Sequence, residues 1–110
     1  MYKKGVYMLK VNKQNFDKVV LQNDKLVVVD FFATWCGPCQ MLSPVLEELS
    51  QELTNVEIVK VDVDEAPELA EKYGVFSIPN VVMIKNGQEV DRFVGFSTKE
   101  AVKNNIKKNL

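Results

Sequence analysis

The sequence predicts an α/β fold in which a central mixed β-sheet is covered by helices on both faces. Two strongly apolar segments, residues 26–32 and 56–62, are typical of strands, and a helical pattern follows each of them. A later pair of strand-like segments is separated by a tight-turn dipeptide, which indicates a hairpin. Strands joined by helices and completed by a hairpin make a mixed sheet. Because the chain has 110 residues, we expect one domain spanning 1–110.

The first half of the chain begins with a possible strand at Val6–Val11 and a possible helix at Asn15–Leu21. The segment Leu26–Phe32 is β-branched and aromatic without strict alternation, which is typical of a central strand covered on both faces. Beyond it, apolar residues recur at helical spacing over residues 41–53, with acidic residues between them, and Pro44 falls inside this helix. These patterns favour helices on both sides of the sheet.

The next predicted elements continue the alternation of strand and helix. Val56–Asp62 has the composition of a second buried strand, and a short helical pattern runs from Pro67 to Tyr73. This helix should end at Gly74, because glycine tolerates the left-handed conformation that closes many helices. The order is that of a βαβ unit.

The last third of the chain contains the hairpin and a final helix. Residues 80–85 and 89–94 form its strands, and Asn86-Gly87 suits a type I′ turn. Ser97 with Glu100 three residues later resembles a capping box, which predicts that the last helix begins there.

The charge balance and the apolar runs exclude two classes of partner. Fourteen basic and fifteen acidic residues give a net charge of -1, without the positive excess that nucleic acids attract. The apolar runs are far shorter than the roughly 20 residues of a membrane span. Lys10 interrupts the apolar residues near the start, so no signal peptide is recognisable. We expect a monomeric cytoplasmic protein that binds neither nucleic acid nor membrane.

The chemistry has to rest on groups other than histidine, because the chain has none. This excludes Ser-His and Cys-His nucleophile pairs and most zinc sites. The two cysteines, Cys36 and Cys39, are separated by two residues, which indicates a redox pair. Two buried core thiols, or half of a zinc site completed by another chain, are the alternatives. None of the five glycines forms a dinucleotide-binding fingerprint, which disfavours a nicotinamide or flavin site. We expect neither a cofactor nor a metal.

Cys36 falls where the central strand ends and a helix begins. The unpaired N–H groups and the positive end of the helix dipole stabilise a thiolate at such a junction. Because the thiolate is the nucleophile in disulfide exchange, we expect Cys36 to attack a substrate disulfide. Cys39 then resolves the mixed disulfide by attacking Cys36.

Asp30 is unusual because it is an acid inside a nearly continuous apolar strand. Burial disfavours the charged carboxylate, so the pKa of Asp30 should rise unless the side chain is paired. The alternative is that Asp30 caps a neighbouring element or turns outward.

The segment 29–39, Val-Asp-Phe-Phe-Ala-Thr-Trp-Cys-Gly-Pro-Cys, closely resembles the thioredoxin family. The downstream pairs Ile78-Pro79 and Asn86-Gly87, the latter preceded by a lysine, extend the resemblance over most of the chain. It implies a thioredoxin fold and a protein-disulfide reductase that carries electrons in cell redox homeostasis. It also implies thioredoxin reductase and disulfide-containing proteins as partners.

The resemblance also implies roles for residues around the cysteines. Asp30 occupies the position of a buried acid that exchanges protons with Cys39, and Lys60 that of a lysine close to this acid. A solvated lysine at a strand end is the alternative for Lys60. Gly37 and Pro38 would tune the redox potential of the pair.

A second implied feature is a cis Ile78-Pro79 bond beside the cysteines, with the backbone of Ile78 pairing with substrate. A trans proline at the entry to a strand is the alternative. Substrate would contact an apolar rim that includes Trp35, Ile78, Pro79, Val94, Gly95 and Phe96. For Trp35 and Phe96 taken singly, core packing or loop anchoring is an equal alternative.

Three residues depart from what is common in the family: Phe32 stands where tryptophan, Gln40 where lysine or arginine, and Asn80 where threonine is frequent. Two other functions stay open. One is a docking module in which redox chemistry is incidental, which the intact pair of cysteines disfavours. The other is a disulfide oxidase or isomerase, against which Gly37-Pro38 and the missing signal peptide favour reduction.

Overall fold

The computed structural model describes residues 8–110, and its five strands form one mixed sheet. The spatial order is β1-β3-β2-β4-β5. The first three strands in this order are parallel, whereas β4 runs antiparallel to both β2 and β5. The strands are β1 at Leu9–Lys10, β2 at Leu26–Phe32, β3 at Val56–Asp62, β4 at Asn80–Lys85 and β5 at Gln88–Val94. The predicted mixed sheet is confirmed.

Helices cover both faces of this sheet, as predicted. They are a short π-helix at Asp17–Leu21, α1 at Gly37–Glu52, α2 at Pro67–Lys72 and α3 at Lys99–Lys107. Residues of α1 and α3 share one apolar cluster with the sheet. Residues of the π-helix and α2 share the other.

The central strand β2 contributes to both apolar layers, which explains why its sequence does not alternate. Val27, Val29 and Phe31 are fully buried on the side of the π-helix and α2. Val28 is buried on the opposite side, against α1 and α3. Successive strand residues point to opposite faces, so Asp30 lies on the face of Val28 and α1.

The predicted hairpin is confirmed in its turn type. Asn86 and Gly87 have φ values of 53° and 78°, and two successive positive φ values are typical of a type I′ turn. Lys85 pairs with Gln88 across this turn. The returning strand places Val94 opposite the first residue of β4. The end of β5 therefore lies close to the loop that precedes β4.

The first two predicted elements are shorter than expected. Strand β1 has two residues, and Val6 and Tyr7 of the predicted strand lie outside the described residues. The helix begins at Asp17, two residues after the predicted start at Asn15, which lies in the turn that leads into the helix. Oδ1 of Asn15 accepts the N–H of Asn12 at 2.8 Å, and Oδ1 of Asn12 accepts the N–H of Asn15 at 3.2 Å. The two asparagine side chains cap this turn and do not replace its backbone bonds, because the N–H of Val19 still donates to the carbonyl of Asn15 at 2.9 Å.

The predicted capping box at Ser97 is also wrong by one residue. The helix α3 is capped by Thr98, which has extended backbone angles and whose Oγ1 accepts the N–H of Ala101 at 3.3 Å. Glu100 consequently lies at the second helical position rather than the third. From there it is out of register for the reciprocal hydrogen bond of a capping box.

Candidate active site

Cys36 and Cys39 form a disulfide at the start of α1, with their Cα atoms 5.3 Å apart. Cys36 is the N-cap of this helix and has extended backbone angles, φ −90° and ψ 111°. Its Sγ accepts the N–H of Cys39 at 3.2 Å. The sequence places Gly37 and Pro38 in the first turn, and Pro38 has no N–H that would need a partner. The predicted junction of strand and helix at Cys36 is confirmed.

The loop between β2 and α1 is held by hydrogen bonds on both sides of the disulfide. The N–H of Cys36 donates to the carbonyl of Ala33 at 3.2 Å. The side chain of Gln40 donates to the carbonyl of Thr34 at 2.7 Å. Gln40, one of the departures from the family pattern, therefore fixes the loop and does not carry the positive charge common at this position.

Trp35 lies on the outer surface of this loop, with 70% of the residue exposed. Its indole Nε1 donates to Oδ2 of Asp64 at 2.8 Å. Asp64 follows β3, so this hydrogen bond connects the loop to the neighbouring strand. Trp35 is an anchored surface residue, and the core-packing alternative does not apply to it.

The loop before β4 meets the disulfide from the side. The predicted cis bond between Ile78 and Pro79 is confirmed. The carbonyl oxygen of Ile78 lies 3.9 Å from Sγ of Cys36, and the carbonyl of Pro79 accepts the N–H of Gly95 at 2.8 Å. Three segments far apart in sequence, ending near residues 36, 78 and 95, thus converge at one end of the sheet.

Behind the disulfide lies a cavity of about 310 Å³ that joins Cys39 to Asp30. Asp30 is only 2% exposed, and among the described residues its Oδ1 has no hydrogen-bond partner. Burial raises the pKa of Asp30 to about 7, although the charge of Lys60 partly opposes the shift. Lining residues are Asp30, Phe32, Ala33, Thr34, Cys39, Gln40, Ser43 and Lys60. The expected buried acid with a raised pKa is confirmed.

Lys60 faces Asp30 across neighbouring parallel strands, since the two residues pair in the register of β2 and β3. Its Nζ lies 5.5 Å from the centroid of the Phe32 ring. An ammonium over an aromatic face is attracted by the ring quadrupole. Phe32, the second departure, therefore lines the cavity and contacts the lysine that moderates the charge of Asp30.

The residues of the predicted rim lie at the same end of the molecule but differ in exposure. Val94 is 54% and Phe96 44% exposed, whereas Pro79 is buried and Ile78 is partly buried. The sequence did not single out Phe76, which is 94% exposed in the loop before Ile78. An aromatic residue between a helix-ending glycine and the Ile-Pro pair was the signal that could have identified it.

Gly95 has a φ of 90°, a conformation that side chains other than glycine rarely adopt. A Cβ at this position would meet no atom within 4 Å, so a substitution would strain the backbone without a clash. We expect Gly95→Ala to lower the free energy of unfolding by about 1–2 kcal/mol, measured by urea denaturation. Gly37→Ala is the control, because a Cβ there also meets nothing within 4 Å and its φ is not positive. Equal losses in both variants would contradict this explanation.

Two further findings concern metals and membranes. Within residues 8–110, no group of three or more histidine, cysteine or acidic residues is arranged to hold a metal ion. None of the helices in this range is both long and apolar enough to span a membrane.

Comparison with known proteins shows that the chain is similar to thioredoxins. The thioredoxin family model matches residues 7–108. A thioredoxin of Chlamydia trachomatis is 49% identical over 92 residues, covering 84% of this chain and 88% of the relative. Bacillus subtilis has a thioredoxin that is 46% identical over 104 residues, covering 94% and 98% of the two chains. A thioredoxin of Rickettsia bellii is 45% identical over 101 residues, covering 87% and 96%.

The fold, the Cys-x-x-Cys disulfide and these relatives agree. A pair of cysteines at disulfide distance, at the start of a helix, is the redox centre of a thiol-disulfide oxidoreductase. The chain belongs to the thioredoxin family and is a protein-disulfide reductase.

Proposed function

We propose that Cys36 is the nucleophile and Cys39 the resolving thiol in this reaction. The observation that carries the proposal is the asymmetry of the two sulfurs. Cys36 caps α1, and its Sγ is adjacent to the Ile78 carbonyl, whereas Cys39 lines the cavity of Asp30. Substrate approaches from the loop at residue 78, and the proton acceptor lies on the other side.

The proposed reaction has two steps. In the reduced protein, the thiolate of Cys36 attacks one sulfur of a substrate disulfide, the substrate S–S bond breaks, and the leaving thiolate takes up a proton. Cys39 then loses its proton and attacks Sγ of Cys36. This step forms the Cys36–Cys39 disulfide, breaks the bond between Cys36 and the substrate, and releases the second substrate sulfur as a thiolate that takes up a proton from water. Two electrons have passed from the protein to the substrate.

Asp30 is proposed to accept the proton of Cys39 in the second step. A buried carboxyl with a pKa of about 7 can both accept and return a proton near neutral pH. The cavity that joins Asp30 to Cys39 gives room for a proton transfer through water. Lys60, on the wall of the same cavity, keeps this carboxyl from becoming a still weaker acid.

Substrate is proposed to lie over the rim around the disulfide, with its backbone paired to Ile78. In the described residues, the N–H groups of Phe76, Ser77 and Ile78 have no hydrogen-bond partner, so they are free to pair with an extended chain. Gly37 and Gly95 present no side chains that would obstruct this approach. The rim residues Trp35, Pro38, Pro79, Val94 and Phe96 supply apolar contact.

The electron source is proposed to be a separate thioredoxin reductase, which reduces the Cys36–Cys39 disulfide after each cycle. Family membership implies a reductase and disulfide-containing substrates as partners. We further propose that the chain works as a monomer with one domain over 1–110 and acts in the cytoplasm. The match of the family model over residues 7–108 supports the single domain.

The equilibrium of the Cys36–Cys39 couple with glutathione tests the direction of the reaction. We expect the oxidised protein to persist in an excess of reduced glutathione, because a reductant must hold its own disulfide more firmly than glutathione does. The ratio of the two forms is measured by alkylation and mass spectrometry. Full reduction at a small excess of glutathione would instead indicate a disulfide oxidase.

A further inference from the structure

Phe76 is the most exposed large apolar side chain among the described residues, at 94%. One edge of its ring lies near Gly74, since Cε2 would be 3.9 Å from a Cβ built on that glycine. Isolated exposed apolar residues are common on protein surfaces and need no explanation by themselves. Phe76 differs from an isolated surface residue in its position, two residues before Ile78 and the disulfide.

The dithiol end of the sheet carries other exposed apolar side chains. Strands β2, β4 and β5 meet there, because Phe31 pairs with Asn80 and Asn80 with Val94. Exposed apolar residues from this end, besides Phe76, are Trp35, Val94 and Phe96. Phe76 belongs to the loop that reaches Cys36 at Ile78, two residues further along the chain.

The reaction itself defines the occupant of this surface. In the mixed disulfide, a substrate cysteine is bonded to Cys36, whose Sγ is 3.9 Å from the carbonyl oxygen of Ile78. An extended polypeptide advances about 3.3 Å per residue, so a substrate residue two positions away lies roughly 7 Å along the chain. Phe76 lies two residues from Ile78, so the Cα atoms of these two residues are also at most about 7 Å apart. The free N–H groups at residues 76–78 allow an extended substrate to follow this segment.

From this geometry we infer that Phe76 is a specificity-determining residue, which selects protein disulfides with an apolar side chain two positions from the reacting cysteine. This inference rests on the proposed function and adds the class of substrate to it. A Phe76 ring that is open to water loses exposed apolar area when such a side chain covers it, and a polar side chain gains nothing there. The preference thus comes from Phe76 and not from the dithiol.

The test uses reduced protein, freed of the chemical reductant, and disulfide-linked dimers of a short peptide with one cysteine. The reference peptide has serine two positions before and two positions after the cysteine, and each of two other peptides has leucine at one of these positions. Second-order rate constants are measured by acid quench and chromatography. We expect one leucine peptide to react about tenfold faster than the reference, which is the low end of discrimination by apolar contacts.

Phe76→Ser should reduce this preference to about twofold or less. The matched control is Val90→Ser, which removes another exposed apolar side chain from β5, on the side of the hairpin turn. This control should keep the full preference. Equal rates for all three peptides with the unaltered protein, or a preference that survives in Phe76→Ser, would overturn the inference.

Hydroxyethyl disulfide separates this inference from the function on which it rests. It has no peptide chain that could reach Phe76, so its reduction by the unaltered protein and by Phe76→Ser reports the dithiol chemistry alone. If neither protein reduces it, the proposed dithiol mechanism fails and the inference fails with it. If both reduce it equally while only the unaltered protein prefers leucine, the specificity role is supported.

Discussion

Replacement of Cys39 with serine is expected to stop turnover and to leave the protein covalently bound to its substrate. Cys36 keeps its position at the N-terminus of α1 and can still form the mixed disulfide. Serine is not a nucleophile toward disulfides, so the second step is lost. We expect the rate of protein-disulfide reduction to fall about 100-fold or more, with the mixed-disulfide complex visible on non-reducing gels.

Cys36→Ser is the matched control for this result. It removes the proposed nucleophile and leaves Cys39 against the cavity, only 3% exposed. We expect this variant to form no complex with substrate. If Cys39→Ser released its product as fast as the unaltered protein, or if the complex formed on Cys39 in the control, the assignment of the two cysteines would be wrong.

The second large effect concerns Asp30. Burial raises the pKa of this carboxyl from 3.8 to about 7. Between these two values the folded protein holds a proton that the unfolded chain has lost, so stability falls as the pH rises. Over pH 5 to 8, this carboxyl should lower the free energy of unfolding by about 3 kcal/mol. Asp30→Asn cannot ionise, so it should gain about 3 kcal/mol over the unaltered protein across this range.

Denaturant unfolding of both oxidised proteins at several pH values measures this difference. Asp24→Asn serves as the control for the loss of one acidic residue, because Asp24 lies exposed before β2. The same Asp30→Asn protein should resolve the mixed disulfide about tenfold more slowly, since it cannot accept the proton of Cys39. Unchanged resolution kinetics between pH 6 and pH 9 would remove Asp30 from the mechanism.

Much of the fold could be predicted because local pattern and tertiary environment agree. The apolar run Leu26–Phe32 and the Asn86-Gly87 turn each specify one conformation, and both appear in the structure as expected. The predicted helix starts were wrong by one or two residues where a small polar side chain can form either of two neighbouring hydrogen bonds. Asn15 closes a turn with Asn12, and Thr98 takes the capping position expected for Ser97. Differences of one hydrogen bond decide such choices, and sequence patterns do not resolve them.

The chemistry of the candidate site could be predicted from the sequence, but the contacts between its loops could not. The spacing of Cys36 and Cys39 indicated redox chemistry, and the resemblance supplied the cis bond at Pro79. The support of Trp35 by Asp64 and the exposure of Phe76 were not predictable, because they depend on where loops far apart in sequence meet. Gln40 was visible as a departure, but its hydrogen bond to Thr34 required coordinates.

The direction of β4 also has a practical consequence. This strand starts beside the disulfide and runs away from it, so the turn at Asn86-Gly87 lies about 20 Å from the reactive end, at 3.3 Å per residue. Gln88, exposed directly after this turn, is a suitable point for attachment to a solid support or a dye. A protein tethered there would present its disulfide to the solution and could serve as a reusable immobilised reductant.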